Sequence, residues 1–153
     1  MKNKKGVTLV ELLVVLAVIS IGLSAVSVTA AHNSLRELTA AANEVQAGLR
    51  FAQRQAVTEG RRYQVFFPHN LNGYRVQRAD GEALLITDVI KEKVFEGNVV
   101  LVGTTAVHSA VTYTPRGTTG DACTITLRNN EYTLELTVNL GSGRVSQRRL
   151  IRN

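Results

Sequence analysis

The sequence predicts an α+β protein: a long N-terminal α-helix, transmembrane in its first half, packed on a C-terminal antiparallel β-sheet or sandwich. Three observations carry this. No proline occurs before Pro68, so nothing forces a helix break in the first sixty residues. Apolar residues then recur at spacings of three and four up to Ala56. After Gly60 the apolar period changes from 3.6 to 2, the period of strands with one buried face. The chain of 153 residues divides into a basic head at 1–6, an apolar helix half at 7–31, an amphipathic half at 32–60 and a β-rich domain at 61–153.

The apolar half comes first. From Val7 to Ala31 the only ionisable side chain is Glu11. A run of 25 residues is long enough to cross a bilayer. A secretory signal peptide has a shorter apolar core and no carboxylate inside it, so Ala30-Ala31-His32 is not read as a cleavage site. Lys2, Lys4 and Lys5 precede the run, which keeps the N-terminus cytoplasmic and places the bulk of the chain outside. A charge in such a segment is costly and marks function by default. Gly22 with Ser20, Ser24 and Ser27 lowers helix propensity here; small residues also let helices pack closely.

The amphipathic half follows without a stop. Leu35, Leu38, Ala42, Val45, Leu49, Ala52 and Ala56 form one apolar stripe, with Arg36, Glu37, Glu44, Arg50, Arg54 and Glu59 between its members. His32-Asn33-Ser34 could be a kink or a second N-cap. Gly60 suits the C′ position that ends a helix. A continuous helix over both halves would be roughly 80 Å long at 1.5 Å per residue.

The β-rich part reads as short strands. Arg62–Phe67 and Gly73–Arg78 form a hairpin around Pro68-His69-Asn70, and a turn follows at Asp80-Gly81. Leu84–Ile86, Val99–Val102 and Val111–Tyr113 are further strands, with Val89–Phe95 ambiguous. The clearest hairpin pairs Cys123–Arg128 with Tyr132–Val138 across Asn129-Asn130, a pair that tolerates positive φ. Arg144–Ile151 is a last strand after Gly141-Ser142-Gly143. Seven or eight strands result, and the stripe of the second half-helix is expected to pack on them.

The run Lys4-Lys5-Gly6-Val7-Thr8-Leu9-Val10-Glu11-Leu12-Leu13 resembles the class III signal of type IV prepilins and pseudopilins. The resemblance implies cleavage by a prepilin peptidase between Gly6 and Val7, N-methylation at Val7, and residues 1–6 as a leader. It makes Glu11 the fifth mature residue, where the family has a glutamate that pairs with the N-terminal amine of a neighbouring subunit. Val7 stands where phenylalanine is usual. Without the leader the formal charge drops from +6 to +3.

The order of later features is similar to the GspH/FimT type. Its marks are Tyr113-Thr114-Pro115-Arg116-Gly117, the Thr-rich hairpin Thr124–Thr137, and Gly143-Arg144-Val145. The resemblance implies a minor pilin or pseudopilin of a type IV pilus or type II secretion system. Its partners would be other pilin or pseudopilin subunits, the peptidase and the inner membrane. The globular domain would be extracytoplasmic.

A second reading concerns the C-terminus. Arg144, Arg148, Arg149 and Arg152 lie in a stretch with no acid from Gly141 to Asn153. Simple alternation puts Arg144, Arg148 and Arg152 on one face, a stripe suited to phosphates. In DNA-uptake members of the FimT type a basic C-terminal region binds DNA, so the resemblance implies DNA as an alternative partner. Those members carry Gly-Arg-x-Arg, which Gly143–Ser146 does not match. The other reading is a solvated edge strand whose charges block aggregation. No catalytic residue set, metal site or cofactor motif is identified, so no enzyme is expected. His32, His69 and His108 have no ligand spacing, and the single Cys123 excludes an intrachain disulfide and falls on a buried face.

Overall fold

A computed structural model describes residues 9–80, 85–120 and 122–152, with side chains at all of these except 22–32, 80, 85–87, 148 and 149. Helix α1 spans Leu9–Glu59, with no interruption at His32–Ser34. Gly60 follows in the left-handed region at φ 64°, as expected of a C′ glycine. The chain forms two compact units, up to Asn33 and from Ser34 onward.

In the first unit every described side chain from Leu9 to Ile21 is exposed. Among the described residues no helix is long and apolar enough to cross a membrane. Within the expected 7–31 span the helix is described from Leu9, but side chains only from Leu9 to Ile21, about 20 Å of helix rise. The side chains of residues 22–31 lie outside the described set, and Gly6 and Val7 lie outside the described residues altogether.

Among the described residues the second unit holds eight strands: β1 (Arg62–Phe66), β2 (Gly73–Asp80), β3 (Leu85–Val94), β4 (Val100–Thr104), β5 (Ala110–Tyr113), β6 (Cys123–Arg128), β7 (Tyr132–Val138) and β8 (Val145–Arg152). They form two four-stranded sheets, β3-β2-β1-β5 and β4-β6-β7-β8, and all six pairings are antiparallel. The expected strand at Leu84–Ile86 and the ambiguous stretch Val89–Phe95 contribute to one strand, β3 (Leu85–Val94), with Leu84 outside the described residues. Its ladder to β2 has two register shifts, which interrupt the alternation that would mark a single strand in the sequence. Asp80 ends β2, and Gly81, the second residue of the expected turn, lies outside the described residues.

The expected stripe is the spine of the core. Leu38, Ala42, Val45, Leu49, Ala52 and Ala56 are fully buried, and Leu35 is half-buried. They share one apolar cluster with Tyr63, Val65, Val76 and Val111 of the first sheet and Ile125, Leu127, Leu134 and Leu136 of the second. Cys123 is buried there, as the alternation predicted. Gly48 lets the helix approach β2: a Cβ on it would meet the Tyr74 ring at 2.5 Å. The Tyr74 hydroxyl donates to the Glu44 carbonyl at 3.0 Å, and burial, with Glu44 adding, pushes its pKa up to about 12.

Candidate functional site

Two surfaces carry the expected site residues. The first is the exposed N-terminal face of α1, with Glu11 in its first turn. A carboxylate there is favoured by the partial positive charge of a helix N-terminus. Around it Leu9, Val10, Leu12 and Leu13 are all more than half exposed. A continuous apolar face of that kind marks an association surface.

The second surface lies where α1 meets the C-terminal part of the chain. Two glutamines seven residues apart share one side of the helix and reach loop and strand backbone. Gln46 Nε2 donates to the Val145 carbonyl at 3.2 Å. Gln53 Nε2 donates to the carbonyls of Gly117 (2.7 Å) and Ser142 (3.0 Å). Thr119 pairs with both Tyr113 and Gly141 through isolated bridges. The buried Tyr113 hydroxyl donates to the Gly143 carbonyl at 3.3 Å, and burial, with the nearby Cys123 adding, holds its pKa well above the ordinary tyrosine value. Gly143 has φ 61°, and a Cβ there would meet the Tyr113 ring at 2.6 Å. Thus the segments Tyr113–Gly117 and Gly141–Val145, 24 or more residues apart in the chain, are tied together through Gln53. Sequence reading assigned Gln53 no role. Its signal was a polar pair, Gln46 and Gln53, at two-turn spacing beside the buried stripe.

Beside this junction runs a groove of about 990 Å³ lined by Arg50, Arg54 and Arg144 with Asn43, Gln46 and Gln53. A second cleft of about 510 Å³ shares Gln53 and Arg54 with it and adds Arg116. All four arginines are exposed. Among the described residues no acid lines either cleft.

The C-terminal arginines are not one alternating stripe. The β7–β8 ladder pairs Val138 with Val145 and Leu136 with Gln147, then Glu135 with Arg149 and Leu134 with Leu150. The register shift between Glu135 and Leu136 inserts Arg148 without a partner and resets the alternation. Arg144, which precedes β8, and Arg152, at its end, therefore do not belong to one alternating row. Arg149 is held opposite Glu135. Arg144 joins the helix arginines instead, and Arg152 is exposed at the far end of the strand. The side chains of Arg148 and Arg149 are outside the described set. Among the described residues no group of three or more His, Cys, Asp or Glu could hold a metal ion.

Comparison with known proteins places these features. Residues 1–27 match the prokaryotic N-terminal methylation motif. Residues 41–143 match the family described as type II transport protein GspH. No curated protein matches the chain. Among solved structures, the type IV minor pilin FimU of Pseudomonas aeruginosa is similar at 18% identity and a TM-score of 0.62, over 74% of this chain and 90% of that one. The minor pseudopilin EpsH from the type 2 secretion system of Vibrio cholerae is similar at 11% identity and a TM-score of 0.57, over 76% and 97%. These two likenesses show a shared fold, an N-terminal helix on an antiparallel β domain. With the GspH match covering most of the chain and the methylation motif at its head, the protein belongs to the GspH family of pilin-type proteins.

Proposed function

We propose that this chain is a precursor of a minor pilin or pseudopilin, cut between Gly6 and Val7, methylated at Val7 and assembled into a filament through α1. Before assembly, residues 7–31 hold it in the inner membrane as a single pass, with residues 61–153 on the extracytoplasmic side. The observation that carries the reading is the methylation motif at residues 1–27, joined to a first helical turn that is apolar except for Glu11. An unpaired carboxylate in a low-dielectric helix bundle is expensive, and a cation beside it removes that cost. In this reading the cation is the N-terminal amine of the adjacent subunit. Pairing is available only after cleavage, so processing and assembly are coupled. The protein does no chemistry of its own; it is the substrate of the peptidase and a building block of the filament.

The test is the mass of the mature N-terminus in the native host. The expected product begins at a methylated Val7. Gly6→Ala should leave the leader in place, and Glu11→Ala should give a processed, membrane-inserted chain that fails to enter filaments. Incorporation of uncut Gly6→Ala protein into normal filaments would overturn the reading.

A further inference from the structure

The charges on the second half of α1 are segregated. At 100° per residue, Arg36, Arg50 and Arg54 lie roughly 120–160° from the centre of the buried stripe in one sense, and Glu37, Glu44 and Glu59 roughly 60–120° in the other. The tertiary contacts follow that division. On the acidic flank Glu44 lies 3.9 Å from both Lys91 and Lys93 of β3, and Glu59 lies 3.8 Å from Arg78 of β2. Glu37 and Glu96 remain exposed on this flank, beside a cleft of about 220 Å³ that also includes Glu44 and Lys93. Neither makes an ion pair with a described residue. On the basic flank Arg50, Arg54, Arg116 and Arg144 gather from the helix, the β5–β6 loop and the turn before β8. Among the described residues none of the four has a carboxylate partner.

A like-charged cluster with no counter-charge raises the free energy of the isolated subunit, and an anionic partner relieves it. That all four are arginines suits carboxylate recognition, since the guanidinium fork binds it in two parallel hydrogen bonds. The same molecule carries exposed carboxylates with no ion-pair partner among the described residues, Glu37 on the opposite flank of the same helix and Glu96 beside it in the loop after β3. Complementary patches on opposite sides of one subunit are the geometry of a heterologous contact, which repeats from subunit to subunit along an open helical assembly.

We infer that the arginine groove is a docking surface for the acidic helix flank of a neighbouring subunit of the same fold, with a second copy of this chain supplying Glu37 and Glu96. The contact rests on the filament reading. It adds a lateral, charge-based specificity to the attraction between apolar N-terminal helices, which is not selective by itself. Rim charges of this kind set register and on-rate more than affinity.

The experiment uses the full chain in detergent micelles, with two tagged populations carrying Ala47→Cys in the groove or Ala40→Cys beside Glu37. On mild oxidation the mixed disulfide dimer should exceed the share that random pairing of the two populations gives it. It should fall at 1 M salt, where the screening length drops to about 3 Å. Arg50→Glu with Arg54→Glu in the groove partner should lower it about threefold to tenfold, the range expected for two exposed ion pairs. Glu37→Arg with Glu96→Arg in the other partner should restore it. A statistical mixture of dimers, or a mixed dimer indifferent to salt and charge reversal, overturns the proposal. An arginine-dependent gel shift of a DNA oligonucleotide, with no preference for the mixed dimer, also overturns it and assigns the groove to phosphates. The mature N-terminal mass in the native host tests the filament reading separately, and its failure would leave the charge-dependent contact measurable.

Discussion

Replacing Gly48 with alanine sets two effects of known size against each other. In an exposed helix interior, glycine to alanine gains about 0.8–1.0 kcal/mol of helix propensity. Here the new Cβ would lie 2.5–2.6 Å from Cε2, Cζ and the hydroxyl of Tyr74. Those atoms are the far end of a side chain, so relief requires the ring to move. It is fully buried, held by the hydroxyl bond to the Glu44 carbonyl, and set between Phe67 and Phe95 at centroid distances of 6.3 and 6.2 Å. Forcing an extra methyl into such packing costs about 1–3 kcal/mol. Losing the hydroxyl bond with its oxygen still buried adds about 1–3 kcal/mol. The clash outweighs the propensity gain, and Gly48→Ala should destabilise the protein by about 1–5 kcal/mol after subtraction. The assay is urea denaturation of the full chain in micelles, read by tyrosine fluorescence, with Tyr74→Leu completing a double-mutant cycle. In the Tyr74→Leu background the same Gly48→Ala change should be neutral or stabilising, because the opposing ring is gone. A Gly48→Ala protein as stable as the parent would refute the reasoning, since it would mean that the ring is free to shift.

Two further outcomes follow from the junction around Gln53 and from the buried tyrosines. Gln53→Ala removes the donor shared by the Gly117 and Ser142 carbonyls. It should cost about 1–2 kcal/mol and raise amide exchange in both loops while leaving β6 and β7 protected, as hydrogen-exchange mass spectrometry would show. Tyr74 and Tyr113 both titrate above the ordinary tyrosine value because burial disfavours the phenolate. The folded state therefore keeps protons that the unfolded chain releases. The resulting stability is complete below about pH 10. It is lost as pH rises toward about 12, the folded value for Tyr74. Urea midpoints from pH 9 to 12 should fall in that window, and less steeply in Tyr74→Phe. A flat profile would contradict the burial argument.

Much of the fold was legible because its signals are local. A buried stripe at helical spacing can be satisfied in one way only, and the residues from Leu38 to Ala56 that carry it are buried as expected. The alternation in β6 and β7 is equally local, since each apolar residue must face the same side of a strand. β3 was harder because register shifts break its alternation, and those shifts are set by the partner strand. The arginines show the same limit. Alternation along the last strand predicts a stripe, but the irregularity opposite Glu135 and Leu136 resets it. Only the β7 ladder determines where that reset falls.

What the sequence by itself determined was the helix and its buried stripe, the late hairpin, the glycine that ends α1, and the methylation motif over residues 1–27. Each is written in neighbouring residues, through φ/ψ preference, side-chain period or a contiguous signal. The tertiary structure decided which strands pair, that Gln53 ties the Tyr113 and Gly143 segments together, and that Arg50, Arg54 and Arg144 share a groove, with Arg116 in the adjoining cleft and no acid lining either among the described residues. These are relations between residues tens of positions apart. They depend on how apolar burial closes the chain, and burial is blind to the charge of what it brings together.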